Sequence, residues 1–358
     1  MDTRRPSEKR LSIVEKRHPT TASILEQPAN RCQLLIIWYV TDDKPGHINQ
    51  ILGLIDALER QLSQPVVSEP EYNFNGVKAY VFSTRQQRRT LFKNNWSKLK
   101  ALFGFVPDIS LPAPNLIIGA GHATHCTVLA ASRAYKIPSV ILMKPSLPVS
   151  WFDYLIVPEH DGLENTDNVL TIRGAINRMQ PQQKMPQSGL ILLGGPSKHY
   201  IWDEEEIVQQ FRNLIAVKAD VRWKISTSRR TPKNFEDTID KIMRQHNNLK
   251  LIKFDDCEKN WLKENLPQNE QVWVTPDSVS MIFEALSSGA DVGIFEMRST
   301  HSKVSKSIAD LVTSHQVTTL DVYIRAKEMF RNDFPLNEGE KAARWLLEKI
   351  SNNNATEK

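Results

Sequence analysis

Six short polar stretches in this chain each follow an apolar run, and each carries side chains suited to moving a proton or holding a phosphate. "TDDKPGHINQ" (41–50) brings Asp42, Asp43 and His47 to one turn, where a carboxylate or imidazole can serve as general base for a hydroxyl. "GAGHATH" (119–125) offers Gly119 and Gly121 for close backbone approach and His122 at a helix start, without the third glycine of a dinucleotide fingerprint. "LGGPSKHY" (193–200) has Gly194, Gly195, Ser197 and Lys198 in a turn whose backbone N–H groups could cradle an anion. "STSRRTP" (226–232) adds Ser228, Arg229 and Arg230, and arginine grips phosphate bidentately. Two such clusters on neighbouring strand ends point to a phosphorylated ligand.

The fifth stretch, "VWVTPDSVSMIFEALSSGADVGIF" (272–295), carries Thr275, Asp277, Ser278, Ser280 and Glu284. Asp277 or Ser278 is placed to cap a helix. Ser280 and Glu284 are four apart and share one helical face. A glutamate inside a short apolar helix between two buried strands has little water to face. Accepting two hydrogen bonds from a ribose diol would account for it. The sixth, "EMRSTHSKVSK" (296–306), adds Lys303 and Lys306 as further candidates for a diphosphate.

The elements that must position these groups follow from periodicity. "QLLIIWYV", "NLIIGA", "PSVILM" and "FDYLIVP" read as buried strands, interleaved with helical patterns such as Ile51, Leu54, Ile55, Leu58 and Leu62. A polar stretch without period (173–189) interrupts them, and the alternation then restarts with "LILLGG", "VRWKIST", "LKLIKF", "QVWVT" and "DVGIF". The expected fold is α/β, two Rossmann-like doubly wound domains facing a cleft. Ligands on such sheets bind beyond the carboxyl ends of the strands, where the polar clusters fall. The expected boundaries are a disordered basic tail over 1–31, domains over 32–175 and 189–335, a linker over 176–188, and a C-terminal helix and tail over 336–358.

Length and composition agree with that plan. The 358 residues are 40% hydrophobic and 24% charged, with a net charge of +5, and at ~150 residues per domain they suggest two domains. Cys32, Cys126 and Cys257 form no CxxC pair, so neither zinc nor a disulfide framework is expected. No apolar run approaches the ~20 residues of a membrane span, and the start lacks the apolar core of a signal peptide. A cytoplasmic location is expected. Residues 78–106 hold seven Lys or Arg and no acid, with Leu91, Phe92, Trp96, Leu99, Leu102 and Phe103 near helical spacing. Residues 85–105 are therefore a candidate for peripheral docking on an anionic membrane surface. No nucleic-acid module is recognisable, so nucleic acid is not an expected partner.

The segments "VTDDKPGHINQILGL", "VPEHD", "RGAINR", "LLGGPSKHY", "TSRRTP" and "VTPDSVSMIFEA" together resemble the mitochondrial-fission Elm-type family, over residues 34–325. The chain departs from that family's pattern at Asp43 and His47, and over 259–267, where Asn260 is kept and a proline is not. The resemblance implies a two-domain GT-B glycosyltransferase that needs no metal. A nucleotide-diphosphate sugar would sit in the C-terminal domain, on the residues of the third to fifth clusters. A glycan or lipid-linked acceptor, as in surface-glycan synthesis, would face the N-terminal domain, beside His122, Glu159 and His160. The base would be Asp42, Asp43 or His47. Glu159, His160 and Asp161 are consecutive, and neighbours in a run rarely converge on a metal. The alternatives are a non-catalytic scaffold that keeps the fold, or a sugar-nucleotide epimerase.

Overall fold

The computed structural model describes residues 33–63, 74–83, 111–258, 260–300 and 302–356. The expected basic tail and the expected membrane-docking stretch 85–105 lie outside these residues.

The first sheet begins with β1 (Gln33–Thr41), whose apolar run is buried on both faces, as a central parallel strand requires. Helix α1 (Pro45–Ser63) follows and buries Ile51, Leu54, Ile55 and Leu58. Strands β2 (Phe74–Ser83), β3 (Leu116–Ala120), β4 (Ser139–Leu142), β5 (Tyr154–Pro158) and β6 (Val169–Ile172) complete a parallel sheet of order β2-β1-β3-β4-β5-β6. Helix α2 (His125–Tyr135) links β3 to β4.

The second sheet contains β7 (Met185–Leu192), β8 (Arg222–Ser226), β9 (Leu249–Ile252), β10 (Asn269–Val274), β11 (Asp291–Ile294) and β12 (Thr318–Thr319), ordered β12-β11-β10-β7-β8-β9 and again parallel. Its helices include α3 (Glu204–Val217), started by Asp203 accepting from the Glu206 amide, and α4 (Lys233–Met243). The five-residue α5 (Trp261–Asn265) precedes β10, and α6 (Val279–Ser287) follows it. Gly289, at φ 75°, turns the chain after α6. Helices α7 (Ser302–Thr313) and α8 (Leu320–Ala326) flank β12.

In each sheet the chain reverses its direction of travel once, between β1 and β3 and between β7 and β10. Crevices open beyond the carboxyl ends of strands at such switch points.

Residues 78–83, which open the basic, aromatic segment 78–106, are strand. Lys78 to Ser83 pair with Ile36 to Thr41 of β1, and the alternating β-formers of "KAYVFS" suit that edge position.

The polar stretch 173–179 runs between α1 and α6. Gly174 sits at φ 71°, and a Cβ there would lie 2.4 Å from the Phe283 ring. Asn177 donates to Ser287 Oγ (3.0 Å), and Arg178 pairs with Asp56 of α1 (2.7 Å).

The last helix, α9 (Glu338–Thr356), returns to the first sheet. Its Ala342, Ala343, Leu346, Leu347 and Ile350 join the core built by α1 and strands β1 to β6. Glu340 accepts from Arg60 and Gln61 of α1, and Lys341 Nζ donates to the Thr171 carbonyl.

Among the described residues no helix is long and apolar enough to cross a membrane.

Candidate functional site

The loops after β7, β8 and β10 are knitted together at the second switch point. Gly194 N–H donates to Thr275 Oγ1 (2.7 Å), and Gly195 N–H donates to Asp277 Oδ2 (3.1 Å). Arg230 donates to the same Asp277 oxygen (2.6 Å) and to the Gly195 carbonyl (3.1 Å), while Ser228 Oγ donates to the Gly194 carbonyl (2.9 Å). The two glycines are needed for this closeness. A Cβ on Gly194 would lie 2.1 Å from Asp277 Oδ2, and one on Gly195 would lie 2.1 Å from the Arg230 carbonyl.

These contacts revise the expectation that the whole cluster meets ligand. Both glycine amides, the Thr275 hydroxyl and the Arg230 guanidinium are already engaged with protein. Thr275 is fully buried, and the Asp277 side chain has no exposed surface. Ser197 Oγ accepts from the His199 and Tyr200 amides, so it shapes its own turn. Lys198 is exposed, and its carbonyl accepts from Thr300 Oγ1. Such paired atoms build a rigid frame, and the groups free to meet a ligand would be those left over.

Two hollows supply them. The larger, about 900 Å³, lies between α1, the 175–178 stretch and α6, and is lined among others by Asn49, Arg229, Asn260, Ser280 and Glu284. The smaller, about 330 Å³, is lined by His160, His199, Asp277, Ser278, Val279, Ser280 and Ser307. Ser280 borders both, so the start of α6 separates them. The backbone ladder of α6 begins with the Met281 amide bonding to the Ser278 carbonyl, and the Val279 and Ser280 amides lie ahead of it. Ser278 makes no side-chain cap; its hydroxyl lies 3.4 Å from that of Ser280. Arg229 is exposed, with its guanidinium carbon 5.8 Å from the centre of the Phe254 ring, and it makes no ion pair among the described residues.

Glu284 is strongly perturbed. Burial pushes its carboxyl up to about 7, against the opposing effect of the Asn49 amide, which donates to Oε1 (3.0 Å). That bond joins α1 to α6 across the larger hollow.

On the first sheet, His47 Nδ1 and Asp42 Oδ1 are 2.9 Å apart. Burial raises the Asp42 carboxyl, but the His47 hydrogen bond and charge, with Lys44, outweigh it and hold the group below its ordinary value. An ionised Asp42 can only accept, so Nδ1 of His47 carries the proton of this bond. The ring packs on Gly121, which has φ 84°; a Cβ there would lie 2.5 Å from the imidazole. The Asp42–His47 pair thus sits on the first switch point. Asp43 is exposed with φ 64°. His47 does not line the larger hollow, although Gly46 and Ile48 on either side of it do. His122 is exposed, and neither it nor Glu159 lines either hollow. His160 does line the smaller one, facing the start of α6.

Sequence reasoning did not single out Asn49, and it read Asn177 and Arg178 as linker. The signal available was their place in polar runs that interrupt apolar periodicity. It also missed His125, which is 2% exposed. Burial and then the charge of His122 press its imidazole down to about 4, with Ser146 Oγ 3.2 Å from Nδ1. No group of three or more His, Cys, Asp or Glu that could hold a metal ion occurs among the described residues.

Comparison with known proteins places this architecture. The UDP-GlcNAc 2-epimerase of Methanocaldococcus jannaschii superposes with a TM-score of 0.53 at 14% identity, covering 88% of this chain and 100% of that one. MurG of Acinetobacter baumannii gives 0.50 at 10% identity, over 88% and 99%. Both likenesses establish a shared fold, the GT-B type. In sequence, an uncharacterized Rickettsia prowazekii protein is 23% identical over 360 residues, 86% of this chain and 96% of its own length. The profile of the mitochondrial fission ELM1 family matches residues 45–350, and the chain belongs to that family.

Proposed function

We propose that the protein is a glycosyltransferase that takes a sugar from a nucleotide-diphosphate donor and passes it to a saccharide or lipid-linked acceptor. One observation carries this reading: Arg229, the start of α6 at Ser280 and the Glu284 carboxylate line a single hollow between the two sheets. A nucleoside diphosphate offers the complement, a diol for the carboxylate and a diphosphate for the cation and the helix start. The helix contributes about 0.3–1 kcal/mol per nearby negative charge, and each hydrogen bond to a charged group about 1.5–3 kcal/mol. Several must therefore act together.

In the reaction, the bond from the anomeric carbon to the diphosphate oxygen breaks, and its electron pair leaves with the diphosphate. Arg229 and the Val279 and Ser280 amides stabilise the charge that develops there. The acceptor hydroxyl forms the new bond and gives its proton to Nε2 of His47, with Asp42 steadying the imidazolium. Ser228, Arg230, Thr275 and Asp277 act as the frame that holds these groups in register, and His160 borders the acceptor approach.

The likeness to an epimerase supports a second reading, turnover of the donor with no acceptor. The test is thermal shift with uridine diphosphate and other nucleoside diphosphates, followed by incubation with the corresponding nucleotide sugars. A rise in melting temperature that Arg229→Ala abolishes, with turnover only when acceptor is added, is the expected result. Epimerised donor without acceptor selects the second reading. The absence of any shift with every nucleotide rejects both in favour of a non-catalytic scaffold.

A further inference from the structure

The second sheet has another hollow, far from the cleft. Its strands are all parallel, so their first residues gather on one edge and the cleft loops on the other. A hollow of about 380 Å³ lies at the starting edge, lined by Arg222, Lys224, Lys250 and Asn269 among others.

Strand register puts three of these cations together. Lys224 of β8 stands opposite Lys250 of β9, and Arg222 precedes Lys224 by two, so all three project from one face of the sheet. Like charges set directly across two strands repel. None of the three has an ion pair among the described residues. The Lys224 amine donates only to the neutral Asn265 Oδ1 (2.9 Å), and Arg222 to the Pro186 carbonyl (3.1 Å). The carboxylates beside these strand starts, Asp220 and Glu270, accept from Gln187. Burial, and then the charge of Lys250, hold the Lys224 amine below the ordinary lysine value. A lysine on an outer strand is a common guard against edge pairing, which accounts for Lys250 on β9. It does not account for Lys224, half-buried on a strand paired on both sides.

Asn269 is an independent observation. The residue is 1% exposed, its Nδ2 donates to the Asn265 carbonyl (2.7 Å), and its Oδ1 has no partner. The hollow therefore combines unneutralised cations with a buried acceptor that lacks a donor. A ligand that answers both is an anion bearing a hydroxyl.

We propose that this hollow binds a small phosphate monoester, its oxygens held by Arg222, Lys224 and Lys250 and its hydroxyl donating to Asn269 Oδ1. The site is separate from the nucleotide cleft, and its occupancy neutralises the repulsion between the two lysines.

Calorimetry with glycerol 3-phosphate tests this on the full chain and on the Arg229→Ala variant, whose cleft is disabled. Saturable binding of equal affinity in both is expected. Lys224→Met should weaken it at least tenfold. Lys250→Glu, at an exposed position that folding does not need, should do the same while raising the ligand-free melting temperature. No saturable binding overturns the assignment, as does binding that both lysine variants leave unchanged or that Arg229→Ala alone removes. Co-sedimentation with phosphatidic acid vesicles, without affinity for glycerol 3-phosphate, overturns the small-molecule assignment in favour of a lipid headgroup.

Discussion

Replacing Glu284 with glutamine is expected to stabilise the ligand-free protein above pH 7 and to remove its response to a nucleoside diphosphate. The carboxyl titrates at about 7 in the fold against an ordinary 4.5, because burial disfavours its charge. The folded state therefore holds the proton more tightly than the unfolded chain does. The associated stability is complete below pH 4.5, erodes as pH rises, and is gone above pH 7. A gap of that size corresponds to about 3 kcal/mol. Glutamine has the same shape, keeps an oxygen for the Asn49 amide and carries no charge. From pH 5 to pH 8 the urea midpoint of the parent protein should fall relative to that of Glu284→Gln, because the slope from other groups such as His125 is common to both. An identical pH slope in the two would mean that the desolvation argument is wrong. The same substitution removes the charged acceptor from a ribose diol, so the nucleotide-induced thermal shift should disappear. A protein that keeps a carboxylate at this energetic cost is better explained by binding than by folding.

Arg230→Ala should destabilise the protein by about 2–3 kcal/mol, less than a fully enclosed pair would cost because water reaches the guanidinium. Its partner is the reason for the loss. The Asp277 side chain is 0% exposed against 41% for Arg230, so truncation strands a carboxylate with only the Gly195 amide as donor. Asp277→Asn in the Arg230→Ala background should recover part of that loss, since a neutral amide needs no counter-charge and still accepts from Gly195. Urea unfolding of the two single variants and the double variant measures the coupling. Strictly additive effects would show that the two side chains do not depend on each other. The Arg230→Ala loops should also lose register, so nucleotide affinity should fall although Arg230 points at protein.

The strands were legible because parallel strands buried on both faces must be apolar throughout, as in "LLIIWYV" and "LILL". Others were not. "VLTI" in β6 is four residues flanked by turn formers, and "KAYVFS" in β2 shared its basic and aromatic content with the segment after it. The positions of the polar clusters were legible for a topological reason: in a parallel sheet every strand ends on the same edge. Which atoms within the clusters pair with each other was hidden. Arg230 and Asp277 are separated by 47 residues, and Asn49 and Glu284 by 235. Local periodicity carries no record of contacts that long. Sequence therefore indicated where the polar clusters gather, whereas which of their atoms pair with one another needed coordinates.

The return of α9 to the first sheet has a practical consequence for dissecting the protein. A fragment that stops near residue 175 would leave the Ile51–Leu58 side of α1 without the cover that Leu346, Leu347 and Ile350 provide. Deletion mapping with such fragments should yield aggregates, and their failure to bind an acceptor would carry no information. A soluble piece requires the final helix to be grafted back, for instance by joining residues 338–356 through a short glycine-rich tether.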